Sequence, residues 1–600
     1  MLPTILDLSS VRAAYADGLT PLQLVEEVIA RCDAVDDPAI FISRASAEQL
    51  RMQAKDLMDR APEPNSLALW GIPFAAKDNI DVAGLPTTAA CPAYEYQPQK
   101  DATLIARLKA AGAIVIGKTN LDQFATGLNG TRSPFGAPRS VFDKDYVSGG
   151  SSSGSAVSVA SGLASFALGT DTAGSGRVPA AFNNLVGIKP TPGLVPNTGV
   201  VPACRSVDVV TVFAATVGDG IAIRRVMDGF DADDPFSTEA QPATLPTTDL
   251  KVGVLVGAER EFYGNTSVEA LYDAAIERAK SLGATIVPFD YVPFREAAEL
   301  LYNGPWVAER LAAVKDFIKT HADAFDPAVR KIIEGASAYD AVDAFEGKYK
   351  LEALRQRAKA EWSKLDVLLL PTSPTTYTVE DMLADPIVKN SHFGRYTNFA
   401  NLFGYAAIAI PAGFDDEGHL PAGVTLVGPA FSDDALAPFA DQMHRALSAG
   451  MGKDRTATLP EAAKVYVPDD GMIEIVVVGA HLTGMPLNPE LTSGGGKLVK
   501  SCRTAGDYRL YALPDTTPPK PGLIRDPSFD GAGLEVEVWK LPAAAFGQFV
   551  ANIPAPLGIG KVTLDDGSTV SSFLCEAHAL KDAQEITALG GWRAFIKNMA

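Results

Sequence analysis

VSGGSSSGSAVSVASG, residues 147–162, packs glycine and serine into a turn and then gives way to small residues at helical spacing. Glycine accepts a positive φ without steric penalty, so such a turn lets successive backbone N–H groups converge on one point. Downstream, GTDTAGSGRVPAAFNN (169–184) repeats the texture, and upstream GIPFAAKDNID (71–81) is an apolar run closing on a lysine. Around these segments, between 64 and 220, short β-branched runs such as AIVIG (113–117) alternate with Ala-rich helical runs such as SAVSVASGLAS (155–165). That alternation predicts an α/β layer with mostly parallel strands.

Ser175 closes the turn Thr172-Ala173-Gly174. A hydroxyl there arises beside the N–H groups of Thr172, Ala173 and Gly174, which makes a nucleophile next to an oxyanion hole. A serine hydroxyl needs a base. The six histidines (321, 392, 419, 444, 481 and 578) all lie outside this region, which leaves a buried lysine, Lys77, as the candidate. An amine with an ordinary pKa of about 10.4 must lose about 4.6 kcal/mol of preference for its charged form to be half neutral at pH 7. Burial within the apolar flank PFAAK supplies a loss of that size. Asp78, next in the chain, would oppose it, so its carboxylate is expected to point elsewhere, bonded to backbone.

AAKDN (75–79), GGSSSGSA (149–156) and GTDTAGSGRVPA (169–180) resemble the amidase signature family, and the resemblance spans about residues 1–455. It implies an α/β fold with a mixed central sheet covered by helices. It also implies a catalytic Ser175–Ser151–Lys77 relay with a cis peptide bond at Gly150-Ser151. Ser153 and Ala173 stand where the common family form has glycine.

Tyr302 and Arg310, in ELLYNGPWVAERLAA (299–313), are eight residues apart, about two turns of one helix, and so can share a face. An arginine beside a tyrosine can clamp a carboxylate; the alternative is an arginine paired with Glu309 or Glu299 on a solvated helix. This segment, TNLDQFATGLNGTRSPFG (119–136) and the C-terminal extension are most similar to the two-domain allophanate hydrolases of that family. The resemblance implies that Tyr302 and Arg310 hold the substrate carboxylate and that Gly127 lends a backbone contact. It also implies allophanate cleavage to ammonia and carbon dioxide after urea carboxylase in urea degradation, with no metal or organic cofactor. A homodimer and a functional link to urea carboxylase are expected with it. Rival readings are another hydrolase of the family, or one chain of an amidotransferase, working on a different amide, and an inactive scaffold.

Six hundred residues, 47% hydrophobic and 21% charged, suffice for more than one core. The expected division is an amidase domain at 1–455, a polar linker at 456–472 and a smaller domain at 473–600. VVVGAHLTGMPLNPEL (476–491) resembles the C-terminal domain of those hydrolases, an α+β, gamma-glutamylcyclotransferase-like fold. His481 is its candidate for helping to decompose a carboxylated product, against a purely structural histidine. A net charge of −20 and a pI near 4.8 argue against nucleic-acid or anionic-membrane partners. Five cysteines without CxxC spacing fit neither a disulfide framework nor a thiolate zinc site. With no signal peptide and no long apolar stretch, a cytoplasmic protein is expected. GAIVIGKT (112–119) matches the phosphate-loop pattern literally, but its Ala-Ile-Val-Ile core reads as the strand itself, so nucleotide binding is rejected.

Overall fold

The computed structural model describes residues 2–599 apart from 242, 247–248, 416–418, 462–471, 515 and 517. It divides into two compact units, Met1–Val467 and Pro468–Ala600. The linker expected at 456–472 lies mostly outside the described residues. One apolar core gathers residues from Leu6 to Met443 and a second gathers residues from Ile475 to Phe595, so each unit closes on its own interior.

The first unit is built on an eleven-stranded sheet. In spatial order its strands are Phe41–Arg44, Ile114–Thr119, Pro73–Lys77, Phe166–Asp171, Val209–Ala214, Val186–Lys189, Ala406–Phe414, Pro421–Gly428, Val367–Pro371, Lys251–Val254 and Thr285–Pro288. Pro73–Lys77 pairs in parallel with both of its neighbours, and every residue in it is buried, as a strand covered on two faces requires. The expectation of mostly parallel strands over 64–220 fails past this point. Val209–Ala214 runs antiparallel to both Phe166–Asp171 and Val186–Lys189. Residues 190–208 carry no helix, and only an antiparallel neighbour can be reached without a covered crossover. The sheet is mixed, with helices packed on it.

Local signals set the helices. Thr20 and Gln23 form a capping box at the start of Pro21–Ala34. Gly304 is extended and Pro305 follows, so the helical stretch expected across 294–364 breaks here into Val292–Asn303 and Trp306–His321. Among the described residues, no helix is long and apolar enough to cross a membrane.

The second unit holds a five-stranded sheet, in order Lys497–Arg503, Glu535–Pro542, Met472–Val477, Thr569–Cys575 and Leu557–Thr563, beside a three-stranded one. The helix Ala543–Ala551 contacts the larger sheet, which gives an α+β unit.

Candidate active site

Lys77 ends its strand at the carboxyl edge of the parallel strands, where open α/β sheets place their sites. Its side chain has no exposed surface. The Nζ atom lies 2.8 Å from Ser151 Oγ, 3.0 Å from Ser152 Oγ and 2.8 Å from Thr170 Oγ1. All three neighbours are neutral hydroxyls. Burial pushes the amine down to about 7, against the opposing fields of Asp122, Asp208 and Asp171. The helix Ser153–Ala160 begins beside these serines, and its positive N-terminal end further disfavours an ammonium there.

Ser152 and Thr170 were missed from the sequence. Ser152 lies within the serine run, but a hydroxyl that grips the lysine cannot be told by sequence from one that packs. Ser152 Oγ gives its own proton to the Thr170 carbonyl at 3.1 Å, and Asn79 Nδ2 reaches Thr170 Oγ1 at 3.4 Å.

The peptide bond Gly150-Ser151 is cis. Asp122, fully buried, organises the backbone around it. Its carboxylate accepts from the amides of Asn129, Gly130 and Arg132, at 3.2, 3.1 and 3.0 Å, while its own N–H donates to the Ser151 carbonyl at 3.0 Å. A Cβ at Gly127 or at Gly150 would collide with Asp122 Oδ2, so both positions must be glycine for the two loops to close on this carboxylate.

Ser175 Oγ donates to the Gly127 carbonyl at 3.3 Å. It makes no hydrogen bond to Ser151, so Lys77 and Ser151 are joined while Ser175 rests on Gly127. Both serines border the same Asp122-centred turn, and a rotation about one Ser175 side-chain bond redirects its oxygen.

The expected oxyanion donors divide. The Gly174 N–H is committed to Asp171 Oδ1 at 2.7 Å, because the enclosed Asp171–Arg177 ion pair draws on the surrounding amides. Burial pushes the Asp171 carboxyl up, and Arg177 outweighs that to hold it below the usual range. The N–H groups of Thr172 and Ala173 have no hydrogen-bond acceptor among the described residues. Thr172 Oγ1 bonds to Asp208 at 2.5 Å, and burial pushes that carboxyl up to about 6.

Tyr302 and Arg310 meet, though not as one helical face: they belong to the two helices separated at Gly304-Pro305. The Arg310 guanidinium sits over the Tyr302 ring at 4.9 Å and is 2% exposed. It donates to Tyr302 OH at 3.3 Å and Thr126 Oγ1 at 3.2 Å, and its Nε has no partner. The surface-pairing alternative fails. Glu309 bonds to the Ser206 amide and hydroxyl, both at 2.7 Å, and Glu299 pairs with Arg295. Arg310 is thus a buried cation held by two hydroxyls and a ring face, and its Thr126 contact lies one residue away from the carbonyl that receives Ser175. A cavity of about 640 Å³ opens onto Tyr302.

Asp78 points away from Lys77, as expected, and accepts from the Thr88 amide at 2.9 Å; its ion pair with Lys118 at 3.0 Å was not foreseen. His481 lies beyond the strand end at Val477, in a turn. Its Nε2 is 3.1 Å from Glu490, and its ring stacks on Phe573. Burial lowers its pKa, against Glu490. It lines a cavity of about 540 Å³ shared with Glu490, Lys520, Gln548 and Asn552.

A buried lysine bonded to one serine, beside a Gly-rich turn that carries another, is the arrangement of a class of amide-cleaving proteins. Residues 23–437 match the family described as Amidase, and this chain belongs to it. Residues 473–597 match the allophanate hydrolase C-terminal domain. The chain is 45% identical over 578 residues to the urea amidolyase of Lachancea kluyveri, covering 94% of this chain but 31% of that protein. It thus spans about a third of the length of that relative. The urea amidolyase of Saccharomyces cerevisiae is 42% identical over 590 residues, covering 96% of this chain and 32% of that protein. Among solved structures, selenomethionine-substituted Kluyveromyces lactis allophanate hydrolase superposes with a TM-score of 0.76 at 41% identity, covering 98% of each chain.

Proposed function

We propose that this chain hydrolyses allophanate through an acyl-enzyme on Ser175, with Ser151 and Lys77 carrying the proton. One observation supports both halves of the reading. The Gly127 that receives Ser175 packs against Asp122, which bonds to the Ser151 held by the buried amine, and follows Thr126, which bonds to a buried guanidinium without a carboxylate partner. A neutral amine has two protons to donate and one lone pair. Ser152 commits its own proton to a carbonyl and so accepts from Lys77, and Thr170 Oγ1 accepts from Lys77 at 2.8 Å. That leaves the lone pair to Ser151.

Lys77 takes the Ser151 proton as Ser151 takes that of Ser175, and Ser175 Oγ attacks the terminal carbamoyl carbon. The Thr172 and Ala173 amides face the developing oxyanion. As the C–N bond breaks, the proton returns through Ser151 to the departing nitrogen, which leaves as ammonia. Water then attacks the acyl-enzyme, giving its proton back along the same path, and Ser175 is restored. The remaining product carries two carboxylates on one nitrogen. We infer that the second unit takes it up at the His481 cavity, where Lys520 supplies a cation and loss of carbon dioxide follows. The long relatives are called urea amidolyases, which supports a role beside a urea-carboxylating activity.

Ammonia release from allophanate tests the proposal. Ser175→Ala and Lys77→Ala should abolish it while the fold persists; full activity in either variant rejects the relay.

A further inference from the structure

The tail of the rejected phosphate-loop match, Gly117-Lys118-Thr119, contains a fully buried lysine that the proposed relay does not use. Its strand pairs in parallel with the Lys77 strand, with Lys77 opposite Thr119 and Ala76 opposite Lys118. Side chains alternate across a sheet, so Lys77 and Lys118 leave on opposite faces. Asp78 is met on the Lys118 side. Lys118 Nζ stands 3.0 Å from Asp78 Oδ1 and donates to the Pro86 carbonyl at 3.0 Å and Thr87 Oγ1 at 2.9 Å. Asp78 Oδ2 takes the Thr88 amide and hydroxyl. The next carboxylate, Asp81, is held by Thr87 Oγ1 at 2.9 Å and Tyr96 OH at 2.6 Å.

An ion pair enclosed this completely is a weak source of stability, since apolar replacements are often as stable. Its location offers another reason for it. Asp78 follows Lys77 in the chain, and an unbalanced anion there would favour an ammonium at Lys77. The carboxylates whose fields reach Lys77 are Asp122, Asp208 and Asp171, and each has its own partners: Asp171 has Arg177, Asp122 has three amides, and Asp208 has Thr172 with the amides of Ala203 and Cys204. We propose that Lys118 is a positioning residue for the relay: it pins and balances Asp78 on the far face of the sheet, so that Lys77 remains an uncharged base.

The inference rests on the Ser–Ser–Lys reading, so its test needs no substrate. The rate at which a fluorophosphonate labels Ser175 is followed against pH. In the wild type it should rise through a limb near neutrality and be lost in Lys77→Ala. Labelling of Lys77→Ala at the wild-type rate would reject the relay, and this inference with it. Given an intact relay, Lys118→Gln keeps a hydrogen-bond donor but removes the charge, and should move the limb up by about one pH unit, about tenfold in rate below it. Asp78→Asn leaves the cation unbalanced and should move the limb down. The double variant and Lys118→Arg should return it to the wild-type position. If either single variant fails to fold, the other decides. A limb that stays in place in the folded single variants, or a double variant that keeps a single variant's shift, overturns the proposal.

Discussion

Arg310→Met offers a quantitative test of the substrate reading. The guanidinium is 2% exposed, and its two hydroxyl contacts, at 3.2 and 3.3 Å, are neutral and long. A carboxylate docking about 3 Å away at an effective dielectric of about 20 gains about 5.5 kcal/mol of attraction before desolvation. Removing one member of a buried, hydrogen-bonded charge pair costs about 2–5 kcal/mol. Taking about 3 kcal/mol, kcat/KM for allophanate should fall about 150-fold. Biuret replaces the carboxylate by a neutral amide of nearly the same shape. As substrate or competitive inhibitor it should respond to Arg310→Met by about threefold or less, because it loses no charge pair. Arg310→Lys keeps the charge but not the fork and should lie between. The measurement is ammonia release with both compounds and both variants. An equal loss on allophanate and biuret would refute the carboxylate clamp and make Arg310 a structural support for Thr126.

Three further outcomes follow from the same geometry. The proposed relay uses the neutral form of Lys77, whose pKa is pushed to about 7, so kcat/KM should fall as pH drops through that region and level off above it; a flat profile from pH 6 to 8 contradicts this. Asp171→Asn leaves Arg177 buried without its anion and should destabilise the first unit by about 3–5 kcal/mol, read as a lowered unfolding midpoint. Because the folded pKa of Asp171 is depressed, its stabilisation in the wild type is present above the unfolded value of about 3.9 and is lost as pH falls through the folded one. His481→Ala in the full chain should leave the first ammonia unchanged while a doubly carboxylated nitrogen species accumulates, observable by carbon NMR; unchanged carbon dioxide release would leave that cavity without the proposed role.

The sequence was most informative where chemistry forces residue type. A Gly-Ser turn and a lysine closing an apolar strand are legible because positive-φ backbone and a strand buried on both faces each admit few residue types. The antiparallel centre of the sheet was not legible, since Val186–Lys189 and Val209–Ala214 have the same apolar texture in either direction. Tyr302 and Arg310 were paired by counting residues along one helix, yet they meet across a break, so proximity was right and its cause was wrong. Gly174 looked like a free donor because sequence does not reveal that a carboxylate three residues earlier would take its N–H. The Asp78–Lys118 pair was hidden because one member lies on a strand and the other just past the end of its neighbour, forty positions apart.

The complete enclosure of the Lys77 amine has a chemical consequence. Urea solutions contain cyanate, which carbamoylates unprotonated amines, and a lysine half neutral near pH 7 would normally be among the first to react. Lys77 presents no surface to such a reagent. The packing that leaves this amine unprotonated near neutrality also keeps it out of reach of such a reagent.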